Sequence, residues 1–305
     1  MSLLYFFEKI RIPGLNELML LITKLGEETA FLVIGLILFW CVSKRRGYFV
    51  MTVGFLGTIT TQAMKIICRI PRPWVRDPNF TILEQAREAA DGYSFPSGHT
   101  QSAFGTLGGI AVTERKKWIA AVCIALSVLV GISRMYIGVH TPEDVLVGAA
   151  VSIGFIALLY PLMMGKKDRT FPVLIAMTIA SAGYLAYMEL TQFPPDINTH
   201  NYESAMKNAY TIIGCTVGLL LVYPLEKKFV NFPEKAVWWA QLLKILLGLG
   251  LVLAVKEGMR SPLEWLFDGH LIARAVRYFL IVVVAGLLWP MTFRFFGKLG
   301  TNKEK

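Results

Sequence analysis

Three short stretches of this 305-residue chain carry side chains whose types and spacing suit the handling of an anion. In "KIICRIPRP" (65–73), Lys65, Arg69 and Arg72 stand four and seven positions apart, so a continuous helix would turn all three toward one face. In "YSFPSGHTQS" (93–102), Pro96 and Ser97 precede a run of small and apolar residues, which makes Ser97 an N-cap and puts Gly98 and His99 in a first helical turn. Unpaired amides, a partial positive charge and a glycine that allows close approach make such a terminus receptive to an anion. In "SRMYIGVHTPEDV" (133–145), Thr141 reads as an N-cap, Pro142 as the first helical residue, and Glu143 and Asp144 as first-turn acids. Asp144, four residues after His140, can fold back onto one imidazole nitrogen and leave the other free to attack, the base-plus-orienter logic of nucleophilic catalysis.

Each stretch alone also has a plainer reading. Cations at a helix end often snorkel to headgroups, Ser97 could simply cap a helix with an interfacial histidine, and Asp144 could match a helix dipole beside a surface His140. Together, three cations and a helix terminus bind while two histidines react. A phosphate monoester, close to a dianion at neutral pH, matches Lys65, Arg72, Arg134, the Ser97 hydroxyl and the amides of Gly98 and His99.

The elements that must position these residues are membrane helices. The chain is 55% hydrophobic and 17% charged, with a mean hydropathy of +0.54, beyond what soluble domains usually carry. A span needs roughly 20 apolar residues, and about nine candidates stand out, near 28–43, 48–67, 98–113, 118–136, 142–164, 170–191, 205–224, 237–256 and 271–296. The expected fold is therefore an all-α polytopic bundle of about nine transmembrane helices. The formal charge of +10 does not indicate nucleic acid, because its placement follows topology. "SKRR" (43–46), "ERKK" (114–117), "KKDR" (166–169), "EKK" (226–228) and the tail 297–305 fall in every second connection. That alternation puts the N-terminus outside, the C-terminus in the cytoplasm, and the connections 68–97, 137–141, 192–204 and 257–270 on the outer face. Cations at the outer end of the second span run against the bias and call for another reason.

Residues 1–27 read as an amphipathic interfacial segment without the basic start and cleavage site of a signal peptide. Cys41, Cys68, Cys123 and Cys215 read as small buried hydrophobes. Trp238, Trp239 and Trp289 fit interfacial anchors, and His200 and His270 ordinary surface or interfacial positions. The segment 74–95, with Asp77, Glu84, Arg87, Glu88 and Asp91, could form a short helix over the site.

With these residues in place, the chain resembles the type 2 phosphatidic acid phosphatase superfamily. Its three motifs are matched without departure: Lys65, six residues, Arg72 and Pro73; Pro96, Ser97, Gly98 and His99; Ser133 and Arg134, five residues, His140, three residues, Asp144. The resemblance implies a core of about six helices and a metal-independent phosphatase, without cofactor, that works through a phosphohistidine. By that analogy His140 is the nucleophile, Asp144 orients it, His99 protonates the leaving oxygen, and Lys65, Arg72, Ser97, Gly98 and Arg134 hold the phosphoryl group. One membrane domain is expected over 1–305, with the phosphatase core in 1–165 and a four-helix lobe of unknown role in 166–305.

A site at the outer interface favours a lipid phosphate or pyrophosphate as substrate, with membrane lipids as the surroundings and no nucleic acid. The alternatives are a sugar-phosphate phosphatase of the glucose-6-phosphatase type and, in another class, a non-catalytic lipid-binding or transport protein. Soluble haloperoxidases share the motifs but lack the spans. The short loops lean toward a bacterial plasma membrane, with the site facing the periplasm or exterior, or the lumen in a eukaryote.

Overall fold

The computed structural model describes residues 1–87, 90, 92–195 and 197–299. Glu88 and Asp91 of the segment expected over the site, Asp196, and residues 300–305 of the basic tail lie outside them. Among the described residues the protein is all-α and contains no strand. Seven helices are long and apolar enough to cross a membrane, and an eighth span arises if Pro13–Gly26 and Glu28–Val42 are taken as one bent pair. The expected span at 98–113 forms a helix of 16 residues, about 24 Å at 1.5 Å per residue. It is too short to count among the seven, and its face carries the buried Thr100, Gln101 and Thr106.

The chain divides into two compact units. The first comprises 1–32, 50–161 and 191–205. Its helices derive from α1 (Ser2–Lys9), α2 (Pro13–Thr23), α3 (Glu28–Ile37), α4 (Lys44–Cys68), α5 (Pro73–Arg76), α6 (Gly98–Thr113), α7 (Lys117–Tyr136) and α8 (Pro142–Met163). Helices α6 and α7 pack along their length through Leu107, Ala111 and Cys123. Ser152 of α8 donates to the Gln101 carbonyl at 2.6 Å, and Gly148 lets α8 come so near α6 that a Cβ there would stand 2.5 Å from the Ser97 carbonyl. The N-terminal segment is a built part of this unit: α1 and α2 pack on α7, Tyr136 donates to Asn16 at 2.7 Å, and Arg11 clamps the Tyr136 carbonyl at 3.0 and 3.1 Å. Beneath it, Tyr136, Ile137 and Val139 form a buried cluster with Phe7, Leu15 and Trp74.

The second unit comprises 33–49, 162–190 and 206–299 of the described chain, and includes α9 (Thr170–Leu190), α10 (Thr199–Leu225), α11 (Trp238–Gly258), α12 (Arg260–Leu266), α13 (Ile272–Val283) and α14 (Phe293–Lys298). Helices α10 and α13 meet backbone to backbone through a Gly-x-x-x-Gly stripe, Gly214 against Ala275 and Gly218 against Val282, the small-residue packing that membrane helices favour. Trp289, expected at the interface, packs on Phe293 and Phe296 and donates to the Lys244 carbonyl at 3.3 Å, whereas Trp238 is exposed as an anchor should be. Cys123 and Cys215 are buried, but Cys68 is exposed because it ends α4, and Cys41 is half-buried.

Gly214→Leu is expected to lower the thermal midpoint in detergent by the equivalent of about 1–3 kcal/mol, because the new side chain meets the Ala275 carbonyl. Gly183→Ala, where a Cβ finds open space, is the control and should leave the midpoint unchanged or slightly higher. Equal midpoints for both variants would contradict the close α10–α13 contact.

Candidate active site

The first unit brings the three motif stretches to one place. The turn that separates α7 from α8 is short because Gly138 takes a positive φ of 90°, with Val139 N–H bonded back to the Arg134 carbonyl at 3.1 Å. A Cβ at 138 would meet an Arg11 nitrogen at 2.8 Å, so glycine serves both the conformation and the packing. This turn delivers His140 and Asp144 into the interior, where they are 1% and 2% exposed.

Asp144 Oδ2 accepts from the Thr141 amide at 2.9 Å and from the Ser94 hydroxyl at 2.5 Å, and lies 3.2 Å from His140 Nδ1. Its backbone carbonyl accepts the Ser97 amide at 2.9 Å. A carboxylate holding three donors is ionised, so His140 Nδ1 carries the proton in that contact. Its Nε2 then presents a lone pair, and Arg72 donates to it at 2.9 Å. Burial, together with the nearby cations Arg72, Arg134 and Lys65, holds the His140 pKa well below the ordinary imidazole value. The imidazole is therefore neutral, with its Nε2 lone pair facing the cations.

The cations are fixed by main-chain carbonyls. Lys65 donates to the Tyr93 carbonyl, and Arg72 to those of Gly92 and Val139, each at 3.0 Å. Arg134, 1% exposed, donates to the Thr23 hydroxyl at 2.8 Å, and its enclosed Nε has no partner among the described residues. An arginine buried with an unmet donor is costly unless an anion completes it. Arg69 departs from the expected common face: α4 ends at Cys68, Arg69 adopts a φ of 50° ahead of Pro71, and its side chain is exposed while Arg72 folds back inward.

Ser97 caps α6, accepting from the Thr100 amide at 3.4 Å and the Thr100 hydroxyl at 2.9 Å, which leaves its own hydroxyl proton to donate. The amides of Gly98 and His99 make no bond among the described residues, and a Cβ at Gly98 would meet nothing within 4 Å, so the helix end is open to approach. His99 lies within electrostatic reach of Arg134, His140, Arg72 and Lys65. Every residue of the expected set thus borders one buried locus that offers guanidiniums, an ammonium, a hydroxyl, two amides and an imidazole lone pair.

The sequence reading missed Ser94 and Thr23. Ser94 stands within the quoted second stretch, but nothing in its spacing announces a bond to Asp144, 50 positions on. Thr23 is 111 positions from Arg134, and no local pattern links them.

A profile described as PAP2 superfamily matches residues 46–168, and one described as PAP2 superfamily phosphatase, transmembrane extension, matches 210–302. Phosphatidylglycerophosphatase B of Bacillus subtilis (strain 168) is 31% identical over 175 residues, covering 52% of this chain and 79% of that protein. Undecaprenyl-diphosphatase of the same organism is 30% identical over 116 residues, 37% of this chain and 57% of that protein. Sphingosine-1-phosphate phosphatase 2 of Mus musculus is 22% identical over 315 aligned positions, 90% of this chain and 86% of that protein. No solved structure matches the chain.

His140 is expected to titrate below the free-imidazole value of about 6.5 and so to remain neutral at that pH. Nitrogen-15 spectra of histidine-labelled protein, assigned by difference from His140→Gln, measure this. A midpoint at or above the free value would contradict the buried, cation-flanked geometry.

Proposed function

The chain belongs to the PAP2 superfamily and is a membrane phosphatase, and we propose that it hydrolyses a lipid phosphate monoester or diphosphate through a phosphohistidine on His140, without a metal ion, at the outer membrane face. The observation that carries the reading is the buried Asp144–His140–Arg72 line, which aims one imidazole lone pair at the cations that would hold a phosphoryl group. We place this chemistry in residues 1–165 and leave 166–305 as an accessory lobe.

Under this reading the phosphate replaces His140 as the Arg72 acceptor and completes Arg134, with Lys65, Ser97 and the Gly98 and His99 amides on its remaining oxygens. Nε2 of His140 attacks phosphorus, forming a P–N bond as the P–O bond to the leaving group breaks. His99, protonated once the bound phosphate dianion offsets the surrounding cations, gives its proton to the departing oxygen. Asp144 stabilises the charge that develops on the His140 ring. Water then attacks the phosphohistidine, His99 takes a proton from it, the P–N bond breaks, and inorganic phosphate leaves. Splitting one displacement into two and spreading charge over fixed donors are the sources of acceleration.

Lipid substrates fit because the tails can stay in hydrocarbon while the head reaches the cations. Phosphatidylglycerophosphate and polyprenyl diphosphate lead as substrate classes, in keeping with the names of the bacterial relatives. The alternation of basic residues supports an outward-facing site.

Phosphate release in EDTA from a panel of glycerolipid, polyprenyl, sphingoid and sugar phosphates tests the proposal. A lipid is expected to exceed the sugar phosphate in kcat/KM, His99→Ala to lose about 10²–10⁴-fold, and His140→Ala to lose nearly all turnover. Turnover by His140→Ala, or binding without turnover by the wild type, would overturn it; preference for the sugar phosphate would move the protein to the glucose-6-phosphatase type.

A further inference from the structure

Helix α13 opens the last long apolar segment, Ile272–Lys298, and carries Arg274 and Arg277 in its first two turns. They stand about 3 and 8 Å in from the helix start at 1.5 Å per residue, so a span that begins at Ile272 would hold them near the level of lipid phosphates and glycerol. The connection before it, 257–270, is one that the basic-residue alternation assigns to the outer face.

Arg277 is only 8% exposed. Its Nε is enclosed without a partner, and among the described residues the guanidinium makes no hydrogen bond or ion pair. It lies over the ring of Tyr278, 5.6 Å from the centroid. Arg274 flanks the same ring at 5.5 Å and donates from Nε to the Thr211 hydroxyl at 2.6 Å, which leaves its terminal nitrogens available. Two guanidiniums therefore flank one aromatic ring, and among the described residues neither forms an ion pair. The scaffold around them is stiff, because Gly214 and Gly218 lock α10 against α13 at Ala275 and Val282. A buried arginine with unmet donors is destabilising in isolation, and a second cation nearby raises the cost; an anion with several acceptor oxygens relieves both.

We propose that Arg274 and Arg277 form a second, non-catalytic anion site that takes the phosphate group of an acidic lipid. Neither residue belongs to the three motifs, and the site does not depend on the catalytic reading. The two arginines offer paired donors to phosphate oxygens, and Tyr278 provides an amphipathic wall at headgroup depth. Acyl chains of the bound lipid would lie along the apolar outer face of the segment. The transmembrane extension thereby acquires a role in holding an anionic lipid in the protein.

Native mass spectrometry of the full-length protein in detergent, titrated with phosphatidylglycerol, phosphatidylcholine or inorganic phosphate, tests this. Phosphatidylglycerol should bind in preference to phosphatidylcholine, and its apparent affinity should fall about 10–100-fold in Arg277→Gln and measurably in Arg274→Gln, with part retained in Arg277→Lys. Phosphate release at the active site serves as the folding check, and should be retained in these variants. Competition by millimolar inorganic phosphate, without preference between the two lipids, would keep the anion site and assign it to free phosphate. Equal phosphatidylglycerol retention by wild type and both glutamine variants, or no binding of either anion, would overturn the proposal whatever the catalytic assays give.

Discussion

Asp144 ties the second and third motif stretches together with four hydrogen bonds. Its carboxylate oxygen holds the imidazole of the third stretch, the Thr141 amide that starts α8, and the Ser94 hydroxyl just ahead of α6, while its carbonyl holds the Ser97 amide at the α6 cap. The residue that fixes the tautomer of His140 is thus the same one that fixes the distance between the α6 terminus and the α8 terminus. Gly148, one turn further along α8, makes this possible by letting the two helices touch at the Ser97 carbonyl. Hydrogen bonds to a charged acceptor contribute more than neutral ones, roughly 1.5–3 kcal/mol each, so the node is stiff as well as central.

Around this node the protein has solved a solvation problem. Lys65, Arg72 and Arg134 are at most 7% exposed, and ions so buried are costly without ligands. The backbone supplies them: residues 92 and 93 ahead of the α6 cap and Val139 ahead of His140 turn their carbonyls onto Lys65 and Arg72. Those irregular loops have sequence and shape because their peptide dipoles are needed to hold cations in place. Arg134 is treated differently, with one hydroxyl partner and an unmet Nε that a bound anion would complete.

Local patterns in the sequence were enough to find the motif residues, because capping, the His140–Asp144 spacing and the clustered cations are all short-range signals. The all-α membrane class was equally legible from composition. What was not legible depends on contacts between distant segments. Thr23 joins the site and Asn16 holds Tyr136 only because α2 packs on α7, and an amphipathic N-terminal segment reads the same whether it lies on a bilayer or on a helix. Arg69 was grouped with Lys65 and Arg72 by helical period, and the left-handed turn before Pro71 breaks that period. The apolar content of 98–113 likewise gives no sign that its threonines and Gln101 are buried in packing between helices.

The shortness of α6 has a functional side. At about 24 Å it falls short of a hydrocarbon core of roughly 30 Å, so an α6 with its far end at one interface would hold its Gly98 and His99 amides recessed below the other. Under the proposed reading, the phosphate must therefore leave headgroup water and meet its donors in a region of low effective dielectric, where each charge-assisted bond is worth more. Recession that strengthens the grip on a dianion also strengthens the penalty on every unpaired cation. Carbonyl ligation of Lys65 and Arg72 and the clamp on Asp144 are then two parts of one design, because a site sunk this deep can hold an anion only if its empty form is already solvated by protein.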